Sequence, residues 1–235
     1  MRIVIFAGGA GRRLWPISRE SSPKQFEPIV GDKSTVQMAV ERVAPAYGFD
    51  SITIATNERY VDIVRRQLPR VPPGNILIEP VRRDLGPAVG LAMAHLGRQE
   101  ADEPVAILWS DNYIENVPAF VGVLQTAEGL ITSKTADIVF IGETPRFANE
   151  NLGWIGLGEM AGRAGELPYY RFGSLTYRPP LERCREIFAG GRHVWNTGFF
   201  VTTPAYVRQQ YRRYSPQLWA QLAAIEASIG GDAYD

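Results

Sequence analysis

The sequence predicts an α/β protein with a mainly parallel sheet flanked by helices, followed by a mixed α+β extension. Two observations carry this prediction. Short apolar runs alternate with helix-sized segments through about residue 142, the rhythm of a parallel sheet with right-handed crossovers. From Asn149 that rhythm changes to glycine-broken and polar stretches, which mark the extension.

The elements follow in order. Ile3-Val-Ile-Phe6 is an apolar run and reads as a buried first strand, closed by a glycine-rich turn. Ser34-Thr-Val-Gln37 has the spacing of a capping box and opens a helix through Val43. Residues 51–56 are β-branched and strand-like, and residues 60–68 carry helical spacing in Val61, Val64 and Leu68. Residues 75–79 form a short strand, and Pro87 serves as a first-turn proline for an alanine-rich helix through Leu96. Residues 105–109 are a fourth buried run ending at Ser110-Asp111; residues 119–131 read as helix and 137–142 as strand. In the extension, Gly153-Trp-Ile-Gly-Leu-Gly158 is strand-like, 161–166 a polar hairpin-type turn and 175–177 a short strand. Residues 181–189 form a helix and 195–201 a strand, and two helices, 205–214 and 217–229, close the chain. With no internal repeat, low-complexity tract or clear linker, the 235 residues are expected to form one domain, with a first part of about 1–142 and a second of about 143–235.

Composition narrows the function. Formal net charge is zero, so no general attraction to nucleic acid or to membranes is implied. No stretch approaches a membrane-spanning length. The single cysteine, Cys184, excludes an intrachain disulfide and fits a packing role in a reducing compartment. The chain enters a strand almost at once, leaving no room for a signal peptide. Together these predict a cytoplasmic protein. His95 and His193 lack a Cys or His partner at metal spacing and are assigned to structure.

The chemistry is concentrated after the strands. Phe6-Ala-Gly-Gly-Ala-Gly-Arg-Arg-Leu-Trp-Pro16 places glycines and then cations after the first strand, with Lys24 close behind. Glycines let backbone N–H groups approach an anion, and the cations supply charge, so this is the layout of a phosphate-binding loop. It is not a dinucleotide fingerprint, because Leu14 stands where the third glycine belongs, and no Gly-Lys-Ser/Thr follows to make a Walker loop. Glu79-Pro-Val-Arg-Arg-Asp84-Leu-Gly-Pro87 follows the third strand and Asp111 the fourth. In open α/β sheets ligands sit beyond the carboxyl ends of the strands, so topology alone predicts that these three segments converge. A carboxylate at Asp111 either holds Mg²⁺, a hard ion that prefers oxygen ligands and phosphates, or caps the next turn.

The glycine loop together with Pro23-Lys-Gln-Phe26 resembles the signature of sugar-nucleotide pyrophosphorylases, and Trp15 and Gln25-Phe26 resemble the mannose-1-phosphate guanylyltransferase branch. That resemblance implies a Rossmann-like (GT-A-like) nucleotidyltransferase fold. It also implies a reaction of GTP with mannose 1-phosphate to give GDP-mannose and pyrophosphate, dependent on Mg²⁺. Arg13, Lys24 and Asp111 become the expected catalytic residues, with Asp111 the metal ligand in a partial match to Ser-Asp-His, Asn112 replacing the histidine. Ala7, Gly8, Gly9, Gly11, Arg12 and Arg13 would bind the nucleotide phosphates. Glu79, Asp84, Gly86, Pro87 and Ala88 resemble the segment that borders the purine pocket.

On the sugar side, Gly153, Arg178 and Asn196 are the expected contacts. Asn151-Leu-Gly153-Trp-Ile155 resembles a Gly-Tyr-Gly-Tyr-Ile segment, and Trp195-Asn-Thr-Gly-Phe-Phe200 a Trp-Asn-(Ser/Ala)-Gly-Met-Phe segment. The family's Phe-x-Glu-Lys-Pro is altered to Leu175-Thr-Tyr-Arg-Pro179, in which Arg178 can replace the lysine's charge but Tyr177 cannot replace the neighbouring carboxylate. Full relatives carry a later aspartate in a Trp-Ser-Asp-x-Gly context, beyond Asp235; Asp232 and Asp235 are weak substitutes. The expectation is therefore a chain that binds guanine nucleotide but catalyses poorly or not at all. A transferase for another base or sugar, and a nucleotide-sugar-binding regulatory protein without turnover, remain as alternatives.

Overall fold

The computed structural model describes residues 1–9, 23–28, 31–79, 84–98 and 101–229. Contacts divide the chain into two compact units, Met1–Ile138 with Val201–Asp235, and Val139–Phe200. The second unit is thus an insertion, and the closing helices belong with the first, a division that departs from a simple break near residue 142.

In the first unit β1 (Arg2–Phe6), β2 (Ile52–Asn57), β3 (Ile76–Glu79) and β4 (Val105–Trp109) run parallel in the order β3-β2-β1-β4. Ile3, Val4, Ile5, Ile52, Ile54 and Ile107 are fully buried. Each such side chain contributes about 1.5–3 kcal/mol by leaving water, so the apolar runs fix both the strands and their place in the centre.

Helices cover the sheet where local signals start them. α1 (Thr35–Tyr47) opens on the expected capping box: the Ser34 hydroxyl accepts from Gln37 N–H and the Gln37 side chain accepts from Ser34 N–H. α2 (Val61–Gln67) follows a single 3-10 turn. α3 (Leu85–Leu96) begins two residues before Pro87, and α4 (Val117–Thr132) is capped by Asn116, which accepts from Ala119 N–H.

The second unit is antiparallel. β5 (Ile138–Glu143) pairs with β8 (His193–Thr202), β8 with β6 (Gly153–Ala164), and β6 with β7 (Leu167–Tyr177). The hairpin corrects the sequence reading. Its turn is only Gly165-Glu166, and the expected short strand at 175–177 is the end of an eleven-residue one. β7 is exposed on nearly every residue, so it has no alternation of apolar and polar positions to announce it. α5 (Leu181–Ala189) lays Cys184 and Ile187 against Trp154 and Trp195, whose rings meet edge-on with centroids 6.2 Å apart. Cys184 is a packing residue there, its thiol donating to the Pro179 carbonyl.

α6 (Pro204–Tyr214) and α7 (Pro216–Ser228) return to the first unit and pack on α3. Gly90 of α3 permits this: a Cβ there would lie 2.4 Å from Leu222 Cδ1 and 3.2 Å from Tyr211 Cε2. Among the described residues no helix is long and apolar enough to cross a membrane.

Candidate active site

Because β1 to β4 are parallel, the chain leaves all four at one edge of the sheet. Beyond Phe6, Ala7 N–H makes one more bond, 2.8 Å to the Ala55 carbonyl, before the glycine loop begins. The Ala7 carbonyl then accepts from Thr56 Oγ1 at 3.1 Å and from Gln25 Nε2 at 2.9 Å. Gln25 Nε2 also donates to the Gly9 carbonyl, again at 2.9 Å. A Cβ on Gly8 would lie 3.8 Å from Glu79 Oε1, which puts the Glu79 carboxylate beside the loop. Gly9 is exposed, and a Cβ there would meet nothing within 4 Å among the described residues.

Asp111 is set by the end of β4. Ser110 N–H and Oγ both donate to the Phe6 carbonyl, at 3.2 and 2.9 Å, tying β4 to β1 one residue before Asp111. One residue after it, the Asn112 carbonyl accepts from Arg42 Nη2 at 2.9 Å. Arg42 is 6% exposed and lies 5.7 Å from the Phe120 ring; burial pulls its pKa below the ordinary value. The Lys24 ammonium, on the 3-10 turn Lys24–Phe26, forms an ion pair with the Asp111 carboxylate. The two side chains keep 22% and 38% of their exposure, so the pair is open to exchange with ligands.

Among the described residues, no group of three or more Asp, Glu, His or Cys gathers in a metal-binding cluster. A divalent ion would be held here by the Asp111 carboxylate, with phosphate oxygens and water as the other ligands, which is the usual manner of Mg²⁺. The hard oxygen donor and its exposure fit that ion.

The residues expected to border a purine continue along the same unit. Glu79 ends β3, and its carbonyl accepts from Asn57 Nδ2 at 3.3 Å. Asp84 precedes α3 with a φ of 64° and makes no side-chain cap. Gly86, Pro87 and Ala88 lie in the first turn of α3. The Gly86 carbonyl accepts from the Tyr211 hydroxyl at 2.6 Å, and Ala88 N–H donates to the Asp84 carbonyl at 3.4 Å. Those two groups have partners within the fold, so a base would meet this turn through others.

The residues expected on the sugar side fall in the second unit. Gly153 is paired with Tyr177 on one side and Asn196 on the other, giving a row Tyr177–Gly153–Asn196 across three strands. Asn196 Oδ1 accepts from Gly198 N–H at 3.0 Å. Its Nδ2 lies 3.5 Å from where a Gly153 Cβ would stand, so the asparagine offers a donor over a glycine floor. Arg178 follows β7 with a φ of 46°, and its guanidinium carbon lies 5.4 Å from the Tyr177 ring centre. Tyr177 is 71% exposed.

Ala7, Gly8, Gly9, Lys24, Glu79 and Asp111 are thus brought to one sheet edge. Gly11, Arg12 and Arg13 lie outside the described residues, as do Trp15, Asp232 and Asp235. Of the two histidines assigned to structure, His95 Nδ1 lies 3.0 Å from the Leu91 carbonyl and His193 lies beside Gly156. Sequence reasoning gave no role to Gln25, Thr56, Ser110 or Arg42. Arg42 carried a signal, since it falls on the apolar stripe of Val36, Ala39, Val40 and Val43, where a charge needs a buried partner.

A Nucleotidyl transferase family model matches residues 2–225. The chain is 30% identical to mannose-1-phosphate guanylyltransferase RfbM of Salmonella typhimurium, over 97% of this chain and 46% of that protein. It is also 30% identical to a mannose-1-phosphate guanylyltransferase of Escherichia coli, over 98% and 49%. The chain therefore spans about half the length of the curated relatives it matches. A crystal structure from Thermus thermophilus, described as mannose-1-phosphate geranyltransferase, superimposes with a TM-score of 0.85 at 29% identity, covering 99% of this chain and 65% of that one. A β-sheet edge furnished with a glycine loop, a lysine and an aspartate, on a chain matched by the family model almost throughout, places this protein in the nucleotidyl transferase family.

Proposed function

We propose that this chain has sugar-1-phosphate guanylyltransferase activity, joining GTP and mannose 1-phosphate to give GDP-mannose and pyrophosphate. The observation that carries the reading is the Lys24–Asp111 pair at the strand edge beside the Ala7–Gly8–Gly9 turn, in a chain whose full extent resembles proteins named for that activity. The single cysteine and zero net charge suit a cytoplasmic setting, with no role for nucleic acid or membrane.

A phosphate oxygen of the sugar 1-phosphate attacks the α-phosphorus of GTP. A new P–O bond forms, the bond to the β-phosphate breaks, and the electron pair leaves with pyrophosphate. The nucleophile is already anionic near neutral pH, so no general base is needed; the obstacle is the meeting of two polyanions. Positioning and fixed charge supply the rate. Glycine-loop N–H groups, with Arg12 and Arg13, bind the nucleotide phosphates. Lys24 leaves Asp111 for the phosphates and offsets the charge that develops between the reacting groups. The Asp111 carboxylate would hold Mg²⁺, which when bound would supply charge neutralisation and polarisation of the phosphoryl oxygens. Glu79, Asp84 and the first turn of α3 border the base. Asn196 Nδ2 donates to a sugar hydroxyl, and Arg178 binds the sugar phosphate.

The exposed Tyr177 in the Tyr177–Gly153–Asn196 row favours, as a second reading, a different sugar 1-phosphate. Pyrophosphate release across a panel of nucleotides and sugar phosphates tests both. Release with GTP and mannose 1-phosphate above all other pairs is expected; preference for another pair shifts the substrate. Purine-nucleotide binding without release from any pair leaves a nucleotide-binding regulatory protein.

A further inference from the structure

We infer that Gln25 is a positioning residue for the nucleotide phosphates, acting through the main chain of the β1 loop; this rests on the proposed use of that loop. Gln25 is 2% exposed and lies on the same 3-10 turn as Lys24, which reaches Asp111. Its Nε2 donates both to the Ala7 and to the Gly9 carbonyl, each at 2.9 Å. Thr56 Oγ1 adds a second donor to the Ala7 carbonyl. Two carbonyl oxygens of the glycine loop are thereby held against neutral donors inside the protein. A carbonyl dipole facing a polyphosphate would repel it, and one facing inward leaves the loop's N–H groups to point at the anion.

The other end of the same amide supports this. Gln25 Oε1 is buried and has no hydrogen-bond partner among the described residues. A buried amide kept for stability satisfies both of its ends. Among the described residues this one leaves its acceptor unmet while its donors fix two carbonyls, so the loop conformation dictates its orientation. A single short turn then carries both an ammonium for the phosphates and the amide that shapes their cradle.

The test is calorimetric binding of GTP and of inorganic tripolyphosphate to wild-type protein, Gln25→Met and Thr56→Val, with thermal midpoints measured alongside. Gln25→Met keeps the side chain's length but removes its donors. Affinity for both probes is expected to fall by about tenfold or more, the scale of lost hydrogen bonds. Thr56→Val, which leaves the bond to Gly9 intact, should lose less. In turnover assays of Gln25→Met, the GTP KM should rise with the mannose 1-phosphate KM unmoved. A lower midpoint with unchanged affinity would make Gln25 purely structural and overturn the inference. If Gln25→Met fails to fold, wild-type NMR decides: the Gln25 side-chain amide protons should exchange slowly and shift when tripolyphosphate is added, and rapid exchange or no shift overturns it. Failure of wild-type protein to bind either probe would instead remove the phosphate-loop reading and this inference with it.

Discussion

Lys24 and Asp111 are separated by 87 positions, yet they form one ion pair at the edge where β1 and β4 end. Removing the ammonium should leave the fold nearly untouched, because a partly exposed pair contributes only ~0–1 kcal/mol. Lys24→Ala is expected to lower kcat by about 10²–10³, as loss of a charge aimed at the transition state does, with a thermal midpoint close to wild type. A variant with wild-type kcat would take Lys24 out of the chemistry. Asp111→Asn should abolish the magnesium-dependent part of the activity, assayed by titrating the metal, while glycine-loop binding persists; unchanged magnesium dependence would make Asp111 a turn residue. The glycine loop and Asp111 were legible because each is announced by the apolar strand before it. The partnership with Lys24 was not, since nothing local to either residue names the other. Gln25 was visible only as part of a motif, and its bonds to Ala7 and Gly9 depend on a fold that returns residue 25 to the end of β1.

Elements with local start signals were legible in the same way. The Ser34 capping box begins α1 where the sequence places it, and Ser34→Ala should cost about 1 kcal/mol, measured by denaturant unfolding. The β6–β7 hairpin was not legible, because its exposed second strand lacks a buried face and its glycines read as breaks. In the structure those glycines are cross-strand necessities: a Cβ on Gly173 would lie 2.8 Å from the Gly156 carbonyl oxygen and one on Gly158 2.9 Å from that of Arg171. Backbone rather than a flexible side chain would have to yield. Gly173→Ala is therefore expected to destabilise by about 1–3 kcal/mol, read as a lowered midpoint; an unchanged midpoint would mean that the bulged hairpin relaxes freely. Helices α6 and α7 were recognised as helices, but amphipathic spacing does not say which surface receives them. Gly90 and Leu222 do, by fitting only when the two helices approach closely.

Across the whole molecule, the parallel unit and the inserted antiparallel unit each have a buried core, and each contains one histidine. His95 and His193 have pKa values lowered from 6.5, in each case chiefly by burial. The unfolded chain, with the higher value, binds protons first as pH falls, so stability is fully present above 6.5 and declines below it. Denaturant midpoints should be lower at pH 5.5 than at pH 7.5, and replacing both histidines by glutamine should flatten that difference; an unaltered difference would assign it to other groups. At the sheet edge a glycine loop held by its carbonyls, a lysine and an aspartate form the proposed site for a magnesium nucleotide. The direct measurement is a calorimetric titration of GTP into the wild-type chain with and without Mg²⁺. Saturable binding of one nucleotide per chain, tighter with the metal present, is the predicted result. No binding of GTP or any other purine nucleotide, under conditions where the chain is folded, would remove the nucleotide site from this sheet edge.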